Sequence, residues 1–216
     1  MINVLRVCEI FHSIQGETSL SGLPFIFIRL AGCNLGCSYC DSKFAREEGT
    51  ELSINEIIEK IQIYKTEQVL ITGGEPLIQK ETPALVNALI EAGYRVSIET
   101  NGETPIQEVS KIARIVMDIK TPSSGVDAFK YKKNLKHLKT SDEVKFIIGT
   151  DGDYKFAKQI VQSGELPVKE ILFSPLSASS AISPSSLAKK ILDDHLQVRL
   201  QLQLHKMIWG SNTRGV

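Results

Sequence analysis

Short runs of β-branched and aromatic residues recur along the chain, separated by glycine, proline and polar residues. The six clearest runs are Phe25–Leu30, Val69–Thr72, Arg95–Glu99, Ile115–Ile119, Val144–Ile148 and Ile171–Phe173. Apolar runs of this kind, bounded by turn-forming residues, are typical of buried strands. The pattern therefore predicts six strands.

Apolar residues spaced three and four positions apart predict helices between several of these strands. The clearest helix begins at Ser53, which forms a capping box with Glu56. A second is bracketed by Thr82 as its cap and Gly93 after its last turn, and a third opens at Ser183.

Strands that alternate with helices predict a mostly parallel sheet, because parallel neighbours need a crossover connection. A complete eight-stranded β/α barrel takes about 250 residues. Six units in a chain of 216 residues therefore fit either an incomplete barrel or a doubly wound sheet. Both place their site at the carboxyl ends of the strands. Residues 198–204 alternate between apolar and polar positions, which predicts a half-buried strand late in the chain, at a sheet edge.

Composition and charge are those of an ordinary globular protein, and we expect a single domain over residues 1–216. Hydrophobic residues make up 42% and charged residues 23%, which excludes a disordered or fibrous chain. The 25 basic and 25 acidic residues cancel, which argues against phosphate-driven binding of nucleic acid. No apolar run approaches the ~20 residues needed to cross a bilayer, and residues 1–6 do not resemble a signal peptide. We expect a cytoplasmic protein that acts on a small molecule, with no nucleic-acid or membrane partner.

Residues suited to binding or catalysis follow the predicted strands. In chain order these segments are Ala31-Gly32-Cys33, Gly73-Gly74-Glu75-Pro76, Thr100-Asn101-Gly102, Lys120-Thr121-Pro122 and Ser174-Pro175. Gly-Gly and Asn-Gly are also common turn residues, so any one of these loops alone admits a purely structural interpretation. Their recurrence at the same end of the predicted fold favours a functional site.

Three of the four cysteines, Cys33, Cys37 and Cys40, form a C-x3-C-x2-C cluster just after the first predicted strand. Three thiolates can hold three irons of a [4Fe-4S] cluster and leave the fourth iron open to a small molecule. The alternatives are a zinc site completed by a distant histidine, or three buried structural thiols. Cys8 lies far upstream in an apolar stretch, which is typical of a core thiol.

The cysteine spacing with Tyr39 before the last cysteine resembles the signature of radical S-adenosylmethionine (SAM) enzymes, and the Gly73–Pro76 segment resembles their second motif. Five further segments resemble the 7-carboxy-7-deazaguanine synthase family: residues 9–17, 27–35, 40–42, 204–210 and 214–216. The resemblance implies an α/β fold, an incomplete (β/α)6 radical-SAM-type barrel with its helices outside and its site at the C-terminal ends of the strands.

The resemblance also implies a reaction. In that family 6-carboxy-5,6,7,8-tetrahydropterin becomes 7-carboxy-7-deazaguanine with loss of ammonia, by a radical ring contraction in 7-deazapurine (queuosine) biosynthesis. The implied cofactors are a [4Fe-4S] cluster, SAM and Mg²⁺. The implied electron donor is a flavodoxin or ferredoxin, and members are commonly homodimers.

Carried onto this chain, the resemblance assigns three groups of residues. Cys33, Cys37 and Cys40 would hold the cluster, and Ser42 would bind Mg²⁺. SAM contacts would come from Tyr39, Cys40, Asp41, Gly74, Glu75, Thr100, Asn101, Asp118, Ile119 and Lys120. Substrate contacts would come from Ile14, Gln15, Gly16, Glu17, Arg29, Thr72, His205 and Val216.

Alternatives remain at the level of the residues and of the function. Arg29 suits bidentate binding of a carboxylate, but a strand-end salt bridge would also explain it. His205 alone would be an ordinary core or surface histidine, and Asp41-Ser42 a helix cap. The competing functions are a radical SAM activase that makes a glycyl radical on a partner protein, and a zinc-stabilised binding module without catalysis.

Overall fold

The structure is a computed structural model that describes residues 3–109, 111–178, 181–211 and 213–216. Met1 and Ile2, part of the amino-terminal segment considered above, lie outside the described residues. The strands are β1 (Val4–Ile14), β2 (Pro24–Leu30), β3 (Thr50–Ser53), β4 (Gln68–Gly73), β5 (Arg95–Thr100), β6 (Arg114–Asp118), β7 (Glu143–Ile148), β8 (Glu170–Pro175) and β9 (Arg199–Leu200). The α-helices are α1 (Ile54–Ile61), α2 (Thr82–Glu91), α3 (Tyr131–Asn134), α4 (Asp151–Ser163), α5 (Pro184–Asp193) and α6 (Leu204–Trp209).

The described strands form one sheet in the order β3-β1-β2-β4-β5-β6-β7-β8-β9. From β2 to β9 all neighbours are parallel, whereas β1 is antiparallel to both β2 and β3. The parallel strands follow one another in chain order without the reversal that defines a doubly wound sheet. All six predicted strands are present, and the prediction of an incomplete β/α barrel is confirmed.

Alternating positions of each parallel strand separate an apolar face, which packs on the helices, from a face that lines the barrel interior. In β2, Ile26, Ile28 and Leu30 are buried in the main core that includes residues of α1, α2, α4 and α5. Phe27 lies on the other face, stacked on Phe11 of β1 with ring centroids 4.8 Å apart. Stacked aromatic rings therefore fill one part of the barrel interior, and other inward-facing positions can carry polar side chains.

The helix boundaries follow the predicted signals with one correction. The capping box of Ser53 and Glu56 is present, and the Ser183 side chain caps α5. At α2 the prediction of Thr82 as the cap is wrong, because the helix already includes Thr82 and the N-cap residue is Glu81. The Thr82 hydroxyl instead donates to the carbonyl of Pro76 at 2.6 Å, which ties the helix to the loop after β4.

The predicted strand over residues 198–204 is wrong in extent, although its edge position is confirmed. Only Arg199–Leu200 pair with β8. The backbone N–H of Leu204 donates to the carbonyl of Gly16 at 2.9 Å, so the chain leaves the sheet and begins α6 over the barrel opening. No helix within the described ranges is both long and apolar enough to span a membrane.

Candidate active site

A cavity of about 520 Å³ opens at the carboxyl ends of the parallel strands, and we call it the central cavity. Most of the residues singled out from the sequence line it: Ile14, Gln15, Gly16, Glu17, Arg29, Cys33, Cys37, Tyr39, Cys40, Asp41, Ser42, Thr72, Gly74, Thr100, Asn101, Asp118, Lys120, His205 and Val216. Glu75 and Ile119 do not. The structure thus brings into one space residues that are up to 202 positions apart in the chain, from Ile14 to Val216.

The three cysteines of the cluster are free thiols on the loop after β2. Burial raises the pKa of the Cys33 and Cys37 thiols, and Lys120 partly offsets this at Cys37. No three His, Cys, Asp or Glu side chains of the described residues are placed to hold a single metal ion. Three thiols that line one cavity fit the donor set of a [4Fe-4S] cluster with one iron left for a ligand.

Glycines let the loop after β4 lie directly against the cysteine loop. The Glu75 backbone N–H donates to the Gly32 carbonyl at 2.9 Å. A Cβ at Gly74 would lie 2.7 Å from the Cβ of Cys33 and closer still to the Gly32 carbonyl oxygen. Any larger residue at position 74 would push the two loops apart.

Glu75 lies behind the cavity wall and joins the loops that follow β4 and β5. Its fully buried carboxylate accepts hydrogen bonds from the Asn101 backbone N–H at 2.7 Å, the Thr100 hydroxyl at 2.9 Å and the Leu77 backbone N–H at 3.0 Å. Burial raises its pKa, and these hydrogen bonds offset part of the rise. The geometry therefore gives Glu75 an organising role. Ile119 is likewise buried in the main core.

Three residues that line the central cavity, Tyr39, Arg46 and Asp118, each carry a buried polar atom that has no hydrogen-bond partner among the described residues. The Asp118 Oδ2 atom binds Lys120 Nζ at 3.0 Å, but Asp118 Oδ1 has no hydrogen-bond partner among the described residues. The Tyr39 hydroxyl also lacks one within the described ranges, and burial raises its pKa to about 12. Buried polar atoms are normally paired, so the Asp118 and Tyr39 atoms fit a ligand that carries its own donors and acceptors.

Arg29 makes the strand salt bridge that the sequence offered as one interpretation, and it also lines the central cavity. Its Nε donates to Glu9 across the β1–β2 pair at 2.7 Å, and Nη1 reaches the Ser42 hydroxyl only at 3.4 Å. The guanidinium carbon lies 6.0 Å and 5.8 Å from the ring centroids of Phe11 and Phe44. The salt bridge to Glu9 thus orients the Arg29 side chain. Its outer nitrogens lie at the cavity, where their recorded hydrogen bond is the long one to Ser42.

A second charged group lies beside Arg29, at the start of α6. Lys206 Nζ binds Asp41 Oδ2 at 2.8 Å, and the Ser42 hydroxyl donates to Asp41 Oδ1 at 2.9 Å. Burial alone would raise the pKa of Asp41, but Lys206 and Ser42 lower it to about 2. Ser42 is the N-cap residue of the short helix Lys43–Arg46, as the helix-cap alternative expects of this pair, but its side chain makes no capping hydrogen bond.

Comparison with known proteins decides the family. Residues 27–162 match the Radical SAM superfamily. The chain is 45% identical to the 7-carboxy-7-deazaguanine synthase of Methanospirillum hungatei JF-1, over 94% of this chain and 85% of that protein. The protein of the same name from Koribacter versatilis is 38% identical over 98% of this chain and all of its own. This chain belongs to the 7-carboxy-7-deazaguanine synthase family of radical SAM enzymes.

The fold agrees with that family. The crystal structure of QueE from Escherichia coli matches with a TM-score of 0.75 over 94% of this chain and 95% of that one, at 23% identity. Membership of the radical SAM superfamily implies a [4Fe-4S] cluster and SAM, and the three thiols and the unsatisfied Asp118 and Tyr39 atoms fit these groups. The zinc-module alternative is wrong, and the activase alternative is not favoured.

Sequence reasoning missed several residues of the synthase cavity, above all Lys145 and Glu99. Both sit at interior-facing positions of apolar strands, and a lysine in the middle of Val144–Ile148 is a signal that could have been used. It also missed Arg214, which stacks on Phe44 with its guanidinium carbon 3.7 Å from the ring centroid and binds Glu48 at 2.6 Å. This anchor brings the tail, with Val216, to the cavity.

Proposed function

We propose that this chain converts 6-carboxy-5,6,7,8-tetrahydropterin to 7-carboxy-7-deazaguanine with loss of ammonia. The observation that carries the proposal is the central cavity itself. Three free cysteines line it together with Arg29 and the carboxylates of Glu17, Glu99 and Asp118. The names of relatives matched over nearly the whole chain support the same reaction.

In this proposal Cys33, Cys37 and Cys40 hold the cluster, and Gly74, Asp118 and Lys120 contact SAM. When bound, the cluster and SAM supply the one-electron chemistry that removes a hydrogen atom from the substrate. The chain itself keeps the reacting groups together and away from water. Gly74 supplies the close loop contact, and the unpaired Asp118 Oδ1 atom would accept a hydrogen bond from the cofactor.

Arg29 binds the substrate carboxylate through its outer nitrogens. Its Nε is already held by Glu9, so the side chain is oriented before the substrate arrives. A charge-assisted hydrogen bond contributes about 1.5–3 kcal/mol, which is about 10- to 150-fold in affinity. Thr72, whose backbone pairs with Arg29 in the parallel β2–β4 ladder, lies beside it.

Ser42 and Asp41 form the Mg²⁺ site of this proposal. Mg²⁺ prefers hard oxygen ligands and retains several waters, so a hydroxyl, an ionised carboxylate and substrate oxygens suit it. A Ser42→Ala variant is expected to need about tenfold more Mg²⁺ for half-maximal activity, whereas Ser42→Thr keeps the wild-type requirement. Equal Mg²⁺ curves for the two variants would remove Ser42 from the site.

Two partners are proposed from family membership alone. A flavodoxin or ferredoxin would supply the electron, and a second copy of the chain would complete a homodimer. Sedimentation of the reconstituted protein tests the homodimer. Turnover with reduced flavodoxin or reduced ferredoxin in place of dithionite tests the electron donor.

Substrate binding tests the proposed function independently of turnover. Anaerobic calorimetry on the reconstituted protein is expected to show binding of the 6-carboxylated tetrahydropterin, weakened about 10- to 100-fold in Arg29→Gln. Tetrahydropterin without the carboxylate serves as the matched control, and both proteins should bind it equally. If the wild type does not bind the carboxylated pterin, or if Arg29→Gln binds both ligands like the wild type, the assignment fails.

A further inference from the structure

We propose that Lys145 is a positioning residue of this site, which orients Glu17 and Glu99 as paired acceptors for the N–H groups of the substrate ring. The inference rests on the proposed function. It concerns a residue that the cysteine chemistry does not use and whose neighbours come from distant parts of the chain.

Lys145 lies on the interior face of β7, and its side chain is only 4% exposed. Its Nζ donates to Glu17 at 2.8 Å and to Glu99, and it lies 3.5 Å from Asp118 Oδ2. These carboxylates come from the loop after β1, from β5 and from β6. A single cation thus ties three separate elements together at the floor of the central cavity.

The ammonium group of Lys145 is held as a cation by its surroundings. It carries three N–H donors, and three carboxylates surround it. Burial alone would lower the pKa of Lys145, but Glu17, Glu99 and Asp118 raise it well above its ordinary value. A buried cation held by three carboxylates in this way orients its partners.

Each of the two glutamates is held at both oxygens. Glu17 receives Lys145 at Oε2 and the Gln203 amide at Oε1, 2.9 Å away. Glu99 receives Lys145 at Oε1 and the Thr72 hydroxyl at Oε2, 3.2 Å away. Their remaining lone pairs lie in the cavity, where a ring rich in N–H donors needs acceptors.

Charge balance explains why Lys145 matters. Glu17, Glu99 and Asp118 carry three negative charges against Lys145 and Lys120, with His205 of α6 also near Glu17. Burial would raise the pKa of Glu17, but Lys145 is foremost among the groups that lower it to about 2. Without Lys145, burial would raise the pKa of Glu17, and a protonated Glu17 would present a donor to the N–H donors of the substrate.

The first test compares Lys145→Met, Lys145→Arg and the control Lys189→Met, whose ion pair with Asp193 is exposed on α5. All are reconstituted anaerobically. Lys145→Met is expected to keep its iron content and to raise the substrate KM at least tenfold. In Lys145→Met the acid limb of the plot of kcat/KM against pH is expected to move to higher pH. Lys145→Arg should restore part of the KM and part of the pH profile, and Lys189→Met should match the wild type.

A second readout does not depend on the substrate. In the wild type the lowered pKa of Glu17 means that its contribution to stability is present above its unfolded pKa and lost as pH falls. In Lys145→Met the folded pKa lies above the unfolded value, so stability is lost as pH rises. The melting-temperature deficit of Lys145→Met is therefore expected to grow from pH 5 to pH 8, and a second change, Glu99→Gln, is expected to reduce it.

The outcomes separate this inference from the function on which it rests. A wild-type protein that cleaves SAM but leaves the pterin untouched overturns the proposed function, and the stability readout then still tests Lys145. The positioning role is overturned if the melting-temperature deficit of Lys145→Met does not depend on pH. It is also overturned if Lys145→Met keeps the wild-type KM and the wild-type acid limb of the kcat/KM profile. Equal loss of iron and SAM cleavage also overturns it, because that marks a purely structural residue.

Discussion

Replacing Gly74 by alanine tests whether close contact between two loops builds the cofactor side of the cavity. The added Cβ would lie 2.7 Å from the Cys33 Cβ, whereas ordinary carbon–carbon contacts are about 3.5–4.0 Å. Because a backbone carbonyl of Gly32 is nearer still, the loops must separate by about 1 Å. Overpacking of this kind costs about 1–3 kcal/mol. A displacement of about 1 Å near reacting groups costs about 100-fold in rate.

The assay follows SAM cleavage by the reduced, reconstituted protein and compares Gly74→Ala with Gly152→Ala. A Cβ at Gly152, in the first turn of α4, would meet its nearest neighbour at 3.5 Å, which is an ordinary contact. Gly74→Ala is expected to lose about 100-fold in kcat/KM for SAM and about 2–12 °C in melting temperature. Gly152→Ala should match the wild type. Wild-type SAM cleavage by Gly74→Ala would refute the argument that this contact sets the site.

Three further predictions concern other parts of the chain. The Asp153 carboxylate accepts hydrogen bonds from three backbone N–H groups at 2.8–2.9 Å, those of Ser123, Gly149 and Thr150. Asp153→Asn should therefore lower the free energy of unfolding by about 2–3 kcal/mol, measured by urea denaturation. An unchanged denaturation midpoint would contradict this. Burial lowers the pKa of His205, so the folded protein binds fewer protons at this site than the unfolded chain does. Stability should therefore fall as pH drops below about 6.5. His205→Asn should flatten that part of the plot of melting temperature against pH, and a slope identical to that of the wild type would contradict the prediction. Cys37→Ala should abolish SAM cleavage while Cys8→Ala retains it, and iron analysis of both variants checks the assignment.

The strands and the end of the fold that carries the site are predictable from local sequence. Apolar runs mark β2 and β4–β8, and the chemistry of each loop follows directly after its strand. The capping box at Ser53 is a contact between residues three apart, so it too can be read without the fold. Parallel topology then brings the loops together, because all parallel strands end on the same side.

Other features depend on long-range contacts that the sequence pattern does not encode. Strict alternation over residues 198–204 predicts a strand, but the bond from Leu204 to Gly16 turns the chain into α6. The sequence predicts that Glu75 contacts SAM, yet its carboxylate accepts hydrogen bonds from Thr100 and Asn101 and does not line the central cavity. Lys145 meets Glu17 only because β7 and the loop after β1 face the same barrel interior.

The central claim is that this cavity carries out ring contraction on the carboxylated tetrahydropterin. The most direct test is anaerobic turnover with dithionite, SAM, Mg²⁺ and 6-carboxy-5,6,7,8-tetrahydropterin, with product formed and SAM consumed counted by mass spectrometry. We expect 7-carboxy-7-deazaguanine to accumulate well beyond the SAM consumed. Accumulation of 5′-deoxyadenosine while the pterin stays intact would contradict the account.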